Sequence, residues 1–498
     1  MNLFPFKLKS ILLALAFLSS YPATAPAIEP PTRDPILRTV DLDLGQSADV
    51  TFSTGVKAIV KLLELQERRD SMSDAIRDAK VKVEVNGKSL WVNCANYNLP
   101  VTIGDVQIDC TVTKGYRSNS NGDPWGLVKD ARLRLWPAGS PWIEPGTFTY
   151  PLKQRWAATM TQMSNEPTYV DGGDSPARKK IYYHYDLDFG GCERLVDVVA
   201  ATDGVVVSSG MTMKSGYLNT PVRPRADVVY LLDDRGWYYR YSHLFTIDPA
   251  MKLGEKVKMG QHLGVLGKEG ASGGWSHLHF GITCRQASGK WGTQEAYAFA
   301  WQAWVRENKP PLIAVARPHH FVRVGESLTL DAGKSWSASG KIQSYHWTFT
   351  DGGAADGVTV ERKYDKPGAY SEILKITDDA GHVAYDFAIV QVIGSLDPKE
   401  LPAAIHPTFF PTMNIAPGQA VTFKVRTFRD AGGETWDFGD GTPRVAVRSD
   451  GNADQHAKDG YAITEHVFAR AGDYIVRVEH INGRGEKAIA HLWVRIGR

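Results

Sequence analysis

At 498 residues the chain exceeds what one hydrophobic core holds and divides into three or four domains. Hydrophobic residues make up 43% of it and low-complexity runs are few, which excludes a disordered scaffold. A formal net charge of +2, with acidic and basic residues intermixed, excludes an electrostatic case for nucleic acid or an anionic membrane surface.

Lys7 and Lys9 precede an apolar run over 11–18, and the small residues Ala23, Ala25 and Ala27 follow. That order reads as a secretory signal peptide over 1–27, cleaved after Ala25 or Ala27. The apolar run is too short to span a bilayer, and no later stretch is long and apolar enough. An exported protein with no membrane span after cleavage is expected, whether periplasmic, cell-surface or extracellular.

Residues 28–150 read as an N-terminal β domain. Residues 81–85 alternate apolar and polar ahead of an Asn86-Gly87 turn, and 102–112 and 131–136 continue the pattern. The polar segment 66–74 reads as a turn or a short helix. No motif here carries chemistry, so the expected role is a β-sandwich packed on the next domain. Four cysteines suit an oxidising compartment: Cys94 and Cys110 here, Cys192 and Cys284 in the next domain. Pairing within each region is the simplest of three connectivities, and a Cys192–Cys284 bridge would tie together the segments described next. No Cys-x-x-Cys pair suggests a cysteine metal ligand.

A Pro/Gly-rich boundary at 137–146 leads into residues 151–310, whose short strands and Gly-rich turns fit an antiparallel β fold. One helix is expected over 295–307, with its aromatics in the core and Pro310-Pro311 as its stop. The run 211–226 reads as a solvated hairpin connection, a loop over a cleft being the other reading. In 273–282, Leu278, Phe280 and Ile282 alternate with His277, His279 and Gly281. On a strand His277 and His279 share a face, able to serve one metal, or a metal and a reacting group. Upstream stand His184 and Asp188, roughly 13 Å apart at Cα on a straight strand, so a bend between them is needed for convergence. Another histidine, His243, follows an aromatic strand-like run.

Two smaller modules follow, at 311–396 and 403–498. Trp436-Asp-Phe-Gly-Asp-Gly441 with a later Ala-Gly-Asp-Tyr474 is echoed by Trp347-Thr-Phe-Thr-Asp-Gly352 with Pro-Gly-Ala-Tyr370. This repeat resembles the PKD family of immunoglobulin-like β-sandwiches, with Trp436 and Phe438 inward and Asp440-Gly441 in the turn. Thr348 and Thr350 depart from the second copy's Asp437 and Gly439. The Asp and Gly residues read as turn chemistry and not as a calcium site.

His184-x3-Asp188, then His243, then His277-x-His279 resembles the lysostaphin-type zinc endopeptidases, from roughly residue 180 to 308. The Gly-rich run 252–267 between the fragments resembles that family as well. The resemblance implies Zn2+ held by His184, Asp188 and His279, with a fourth position for water. It implies His243 and His277 as catalytic groups beside that water. Many family members have Gly where this chain has Asp186, which reads as solvated, with tuning of His184 as the other reading. The implied substrate is bacterial peptidoglycan, in the stem peptide or cross-bridge. A protease of Gly-rich extracellular proteins and a non-catalytic wall- or glycan-binding protein are the alternatives. The PKD-like modules fit each of these as spacers or binding units. The expected fold class is mainly β: an N-terminal β domain, an antiparallel metallopeptidase domain and two immunoglobulin-like β-sandwiches.

Overall fold

The computed structural model describes residues 28 and 30–497, apart from 119, 121, 165–180, 396, 398, 399, 429, 431 and 451–459. The expected signal peptide lies outside the described residues. Among the described residues, no helix is long and apolar enough to cross a membrane.

Alternation sets the N-terminal domain. In the strand Ile76–Val85, Ile76, Ala79, Val81, Val83 and Val85 are buried while the residues between them are not. Asn86 and Gly87, both at positive φ, then turn the chain into Lys88–Asn93. Two four-stranded antiparallel sheets face each other across one core, to which Leu62 and Val83 contribute from one side and Ile108 and Leu133 from the other. Residues 66–69 do not form a helix. They extend the strand Lys57–Arg69, where pairing such as Arg68↔Asp78 recruits polar side chains into a two-stranded ribbon. The turn is confined to the residues beyond Arg69. Buried ion pairs Arg132–Asp41 and Arg134–Asp109 stitch the second sheet, and Arg134 donates to the Glu295 carbonyl at 2.6 Å. The N-terminal sandwich is thereby joined to the central domain.

The central domain is built on an antiparallel sheet running Gly204–Ser209, Val229–Leu232, Tyr238–Ser242, His277–Arg285, Leu187–Gly190 and Gln162–Ser164. Its helix, Tyr297–Asn308, ends on Lys309 in the left-handed conformation, just ahead of Pro310-Pro311. Tyr297, Phe299, Trp301 and Trp304 of that helix are buried, and Phe299 and Trp304 pack through Phe148 and Tyr150 toward Phe280 and Phe189. The aromatics are core, as their pattern suggests.

The strand register excludes one expected crosslink. Gly190 pairs with His277, so Cys192 lies beyond that end of the strand His277–Arg285, while Cys284 lies seven residues along it. That offset is about 23 Å, against the roughly 7 Å limit for bridged Cα atoms. All four cysteines are buried free thiols. Cys94 and Cys110 alone lie opposite each other, across an isolated bridge in the N-terminal core.

The two C-terminal sandwiches share one continuous sheet, because Gly368–Asp378 of the first pairs in parallel with Lys487–Ile496 of the second. Trp436 and Phe438 are buried and stacked 3° from parallel, and Asp440 accepts from the Thr442 amide to close the turn. In the first copy the Thr350 amide and hydroxyl both donate to buried Glu372, which takes over the anchoring of that turn.

Candidate metal centre

The centre forms where three consecutive features of the central sheet meet. The strand His277–Arg285 lies between Tyr238–Ser242 and Leu187–Gly190, with Asp188 directly opposite His279. Cross-strand partners project to one face, so their side chains meet, and His279 Nδ1 lies 2.9 Å from Asp188 Oδ1. Leu278, Phe280 and Ile282 point the other way and are fully buried.

His184 arrives through the bend that its spacing from Asp188 requires. Asp186 sits at φ +66°, a left-handed conformation, and reverses the chain just before the strand Leu187–Gly190 begins. His184 Nε2 is thereby brought 3.0 Å from Asp188 Oδ2. The donor atoms of His184, Asp188 and His279 all lie within 4.8 Å of one another, and all three residues are buried.

This donor set fits a zinc ion. Two imidazoles and a carboxylate are zinc-type ligands, and tetrahedral bonds of about 2.0–2.1 Å place neighbouring donors about 3.3 Å apart. The observed N···O separations of 2.9 and 3.0 Å lie close to that spacing. Asp188 Oδ2 is buried and faces two imidazole nitrogens, His184 Nε2 at 3.0 Å and His277 Nε2 at 3.2 Å. Burial raises the Asp188 carboxyl, but the charges of His184 and His277 and the hydrogen bonds from His184 and His279 reverse this and hold it well below the usual range.

His277 and His243 flank the donors without joining them. His277 Nδ1 donates to the Trp275 carbonyl at 2.9 Å, and its Nε2 lies 3.2 Å from Asp188 Oδ2. The His243 ring lies 4.6 Å from the His277 ring, centre to centre. His243 is itself at φ +67°, its amide bonded to Asp227 Oδ2 at 2.8 Å and its Nδ1 2.5 Å from the Glu269 carbonyl. The carbonyl places the proton on Nδ1 and leaves Nε2 as the basic nitrogen. Burial pushes His243 down to about 3, so the ring is neutral at ordinary pH. Burial raises Asp227, yet its bonds to His243 and Arg225 hold its carboxyl low.

Two sequence-based expectations change. Asp186 is not solvated: it is 3% exposed, accepts the Thr293 hydroxyl, and its Oδ2 lies 3.5 Å from His279 Nε2. Its carboxylate is therefore directed at His279 and not at His184, and it fits there because Gly281 has no side chain. A Cβ at Gly281 would meet Asp186 Oδ2 at 2.1 Å. The run 211–226 is also more than a solvated connection, since Tyr217 and Val222 are buried while Met211 and Leu218 are exposed. At its end Arg225 grips Asp227 through two nitrogens, 2.5 and 2.7 Å, and lies 3.2 Å from His243 Nδ1. Asp227 and the Trp275 and Glu269 carbonyls had no motif to announce them, because carbonyls carry no side-chain signature and Asp227 belongs to no spaced pattern.

Residues 182–290 match peptidase family M23, and residues 308–392 and 410–491 each match the PKD domain. The chain carries an M23 peptidase domain followed by two PKD domains. Family M23 is one of metallo-endopeptidases. Collagenase ColA of Clostridium perfringens is 32% identical over 89 residues, 18% of this chain and 8% of that protein. A microbial collagenase of Vibrio alginolyticus is 34% identical over 84 residues, 17% of this chain and 10% of that protein. The chain thus spans a tenth or less of these curated relatives, and the likeness falls in the PKD region. Helicobacter pylori Csd3 aligns over 49% of this chain and 81% of its own at 15% identity and a TM-score of 0.20. Fibronectin(III)-like modules of Clostridium thermocellum CbhA align over 36% and 89% at 9% identity and a TM-score of 0.15. Likeness at those TM-scores carries no argument.

Proposed function

We propose that this protein is an exported zinc endopeptidase that hydrolyses peptide bonds of bacterial peptidoglycan, in the stem peptide or cross-bridge. The observation behind it is the buried convergence of His184, Asp188 and His279 within 4.8 Å inside the M23 segment, with the His277 and His243 rings alongside. His184, Asp188 and His279 are the residues that hold the metal. Zinc, when bound, acidifies water and polarises the scissile carbonyl.

The protein's own groups supply the proton traffic. Nδ1 of His277 and of His243 each faces a backbone carbonyl, which leaves Nε2, turned toward Asp188 on His277, as the nitrogen that takes a proton from the attacking water. The same atom returns it to the departing amine. Asp227 and the two carbonyls hold the His243 and His277 rings in one orientation, which keeps the cost of reorganisation out of the reaction.

A Gly-rich extracellular protein as substrate has behind it the likeness to the two collagenases, which falls in the PKD region and does not reach the centre. A purely wall-binding role leaves the paired histidines His243 and His277 without a purpose.

The test compares the mature protein with His279→Ala for zinc content and for new amino termini released from sacculi, with gelatin digested in parallel. Loss of zinc and of wall-peptide release together is expected. Undiminished release by the variant would overturn the metal assignment. Digestion of gelatin alone would move the substrate, and a zinc-loaded parent that releases nothing would favour the binding role.

A further inference from the structure

The second PKD domain grips the chain immediately ahead of His277. Residues 273–276 approach the strand His277–Arg285 through Gly273 and Gly274, both at positive φ. The central domain holds this approach through the Ser276 hydroxyl on the Gly191 carbonyl at 2.5 Å. The rest of the grip comes from far along the chain. Arg426 donates to the Gly274 carbonyl at 3.1 Å, the Trp275 ring stacks on Phe428 at 4.6 Å and 6°, and the Ser276 amide donates to the Tyr461 hydroxyl at 2.9 Å.

Behind these contacts lies a buried relay. The Tyr461 hydroxyl lies 2.7 Å from His406 Nδ1, and His406 Nε2 lies 2.8 Å from the Thr161 hydroxyl. Burial keeps His406 neutral, so one of its ring nitrogens donates and the other accepts along this relay. Thr161 returns to the centre, since its carbonyl accepts the amide of Gly190, the residue paired with His277. Lys424 adds a further tie, to the Glu193 carbonyl at 2.7 Å.

We infer that the second PKD domain is a working part of the peptidase centre, with Tyr461 and Phe428 as positioning residues that fix His277 through the Trp275–Ser276 backbone. The link is direct, because His277 Nδ1 takes its orientation from the Trp275 carbonyl, and Trp275 is the residue clamped between Phe428 and His406. A domain acting only as a spacer or wall anchor has no need to hydrogen-bond the backbone beside a catalytic histidine.

This inference rests on the proposed peptidase reading, and its test separates the two. Tyr461→Phe and Phe428→Leu are made in the full chain, with Tyr474→Phe as control. The Tyr474 hydroxyl bonds the Arg470 carbonyl elsewhere in the same domain. Expected for both variants is a kcat for wall-peptide release lowered about tenfold to a hundredfold, the range that small misplacements produce. KM and zinc content stay at parental values, and Tm falls with the lost buried contacts while the protein stays folded at the assay temperature. The control is fully active, and the His277 ring resonances in histidine-labelled protein move. Parental kcat and unmoved resonances in both variants would overturn the inference, and so would a raised KM with unchanged kcat. Should the parent cut neither sacculi nor gelatin, the peptidase reading fails by itself. The His277 resonances then still decide, moved in support and unmoved against.

Discussion

Asp186 Oδ2 stands 3.5 Å from Nε2 of His279, the ring nitrogen opposite the one that meets Asp188. A metal-held imidazole carries its proton on the far nitrogen, and a carboxylate placed there fixes the ring and strengthens it as a ligand. Asp186→Asn keeps a residue that tolerates the left-handed backbone and removes the charge. Zinc affinity, measured by chelator competition, should fall about tenfold to a hundredfold. Gly281→Ala should reproduce the loss from the other side, because its Cβ displaces the carboxylate. Parental affinity in both variants would remove Asp186 from the metal's support.

His277 lies 3.2 Å from Asp188 Oδ2 yet belongs to the flank and not to the donor set. Replacing it should separate chemistry from metal binding. His277→Ala is expected to keep its zinc and to lose about 10²- to 10⁴-fold in kcat, the usual worth of a proton-transfer group. Atomic absorption and sacculus digestion on the same preparation check both halves. A variant that loses zinc would make His277 a ligand.

The pattern of the chain made the His-x-His strand legible, since alternation of Leu278, Phe280 and Ile282 needs only a period of two. The pairing of Asp188 with His279 was not legible, because register depends on which strands lie adjacent. The bend between His184 and Asp188 was readable as a requirement, but its agent was not. Asp186 looked like a solvated acid because its burial comes from Gly281 and Thr293, about a hundred residues downstream. The same limit explains the PKD repeat. Trp436 and Phe438 announced a sandwich core, whereas Tyr461 and Phe428 gave no sign that they reach residues 275 and 276.

The strand His277–Arg285 also fixes what the cysteines can do. Cys192 and Cys284 sit toward opposite ends of the pairing with Leu187–Gly190, too far apart for a bond. In denaturant without reductant, both should react with a maleimide reagent, and a non-reducing peptide map should contain no fragment joining them. In the native protein neither should react, because both thiols are buried and burial pushes them up, Cys192 to about 11 and Cys284 to about 12. A joined fragment would mean that this part of the sheet has a different register.

Glu295 carries a prediction that is independent of the metal. It lies just before the helix Tyr297–Asn308, with Oε1 accepting the Tyr297 amide at 3.1 Å and Oε2 buried without a partner. Burial raises its carboxyl from an ordinary 4.5 to about 7, against the opposing pull of Arg134. Between those two values the folded protein holds a proton that the unfolded chain has released. Stability from this group is therefore full below the unfolded value and is lost as pH rises through the folded one. The loss amounts to about 3 kcal/mol at most, from the spacing of the two values. Glu295→Gln keeps an acceptor for the Tyr297 amide and has nothing to ionise. Its Tm should match the parent near pH 4 and exceed it at pH 8, with the gap opening between pH 4.5 and 7. Parallel Tm profiles for parent and variant across that window would show that Glu295 is ionised in the fold and finds its compensation in Arg134.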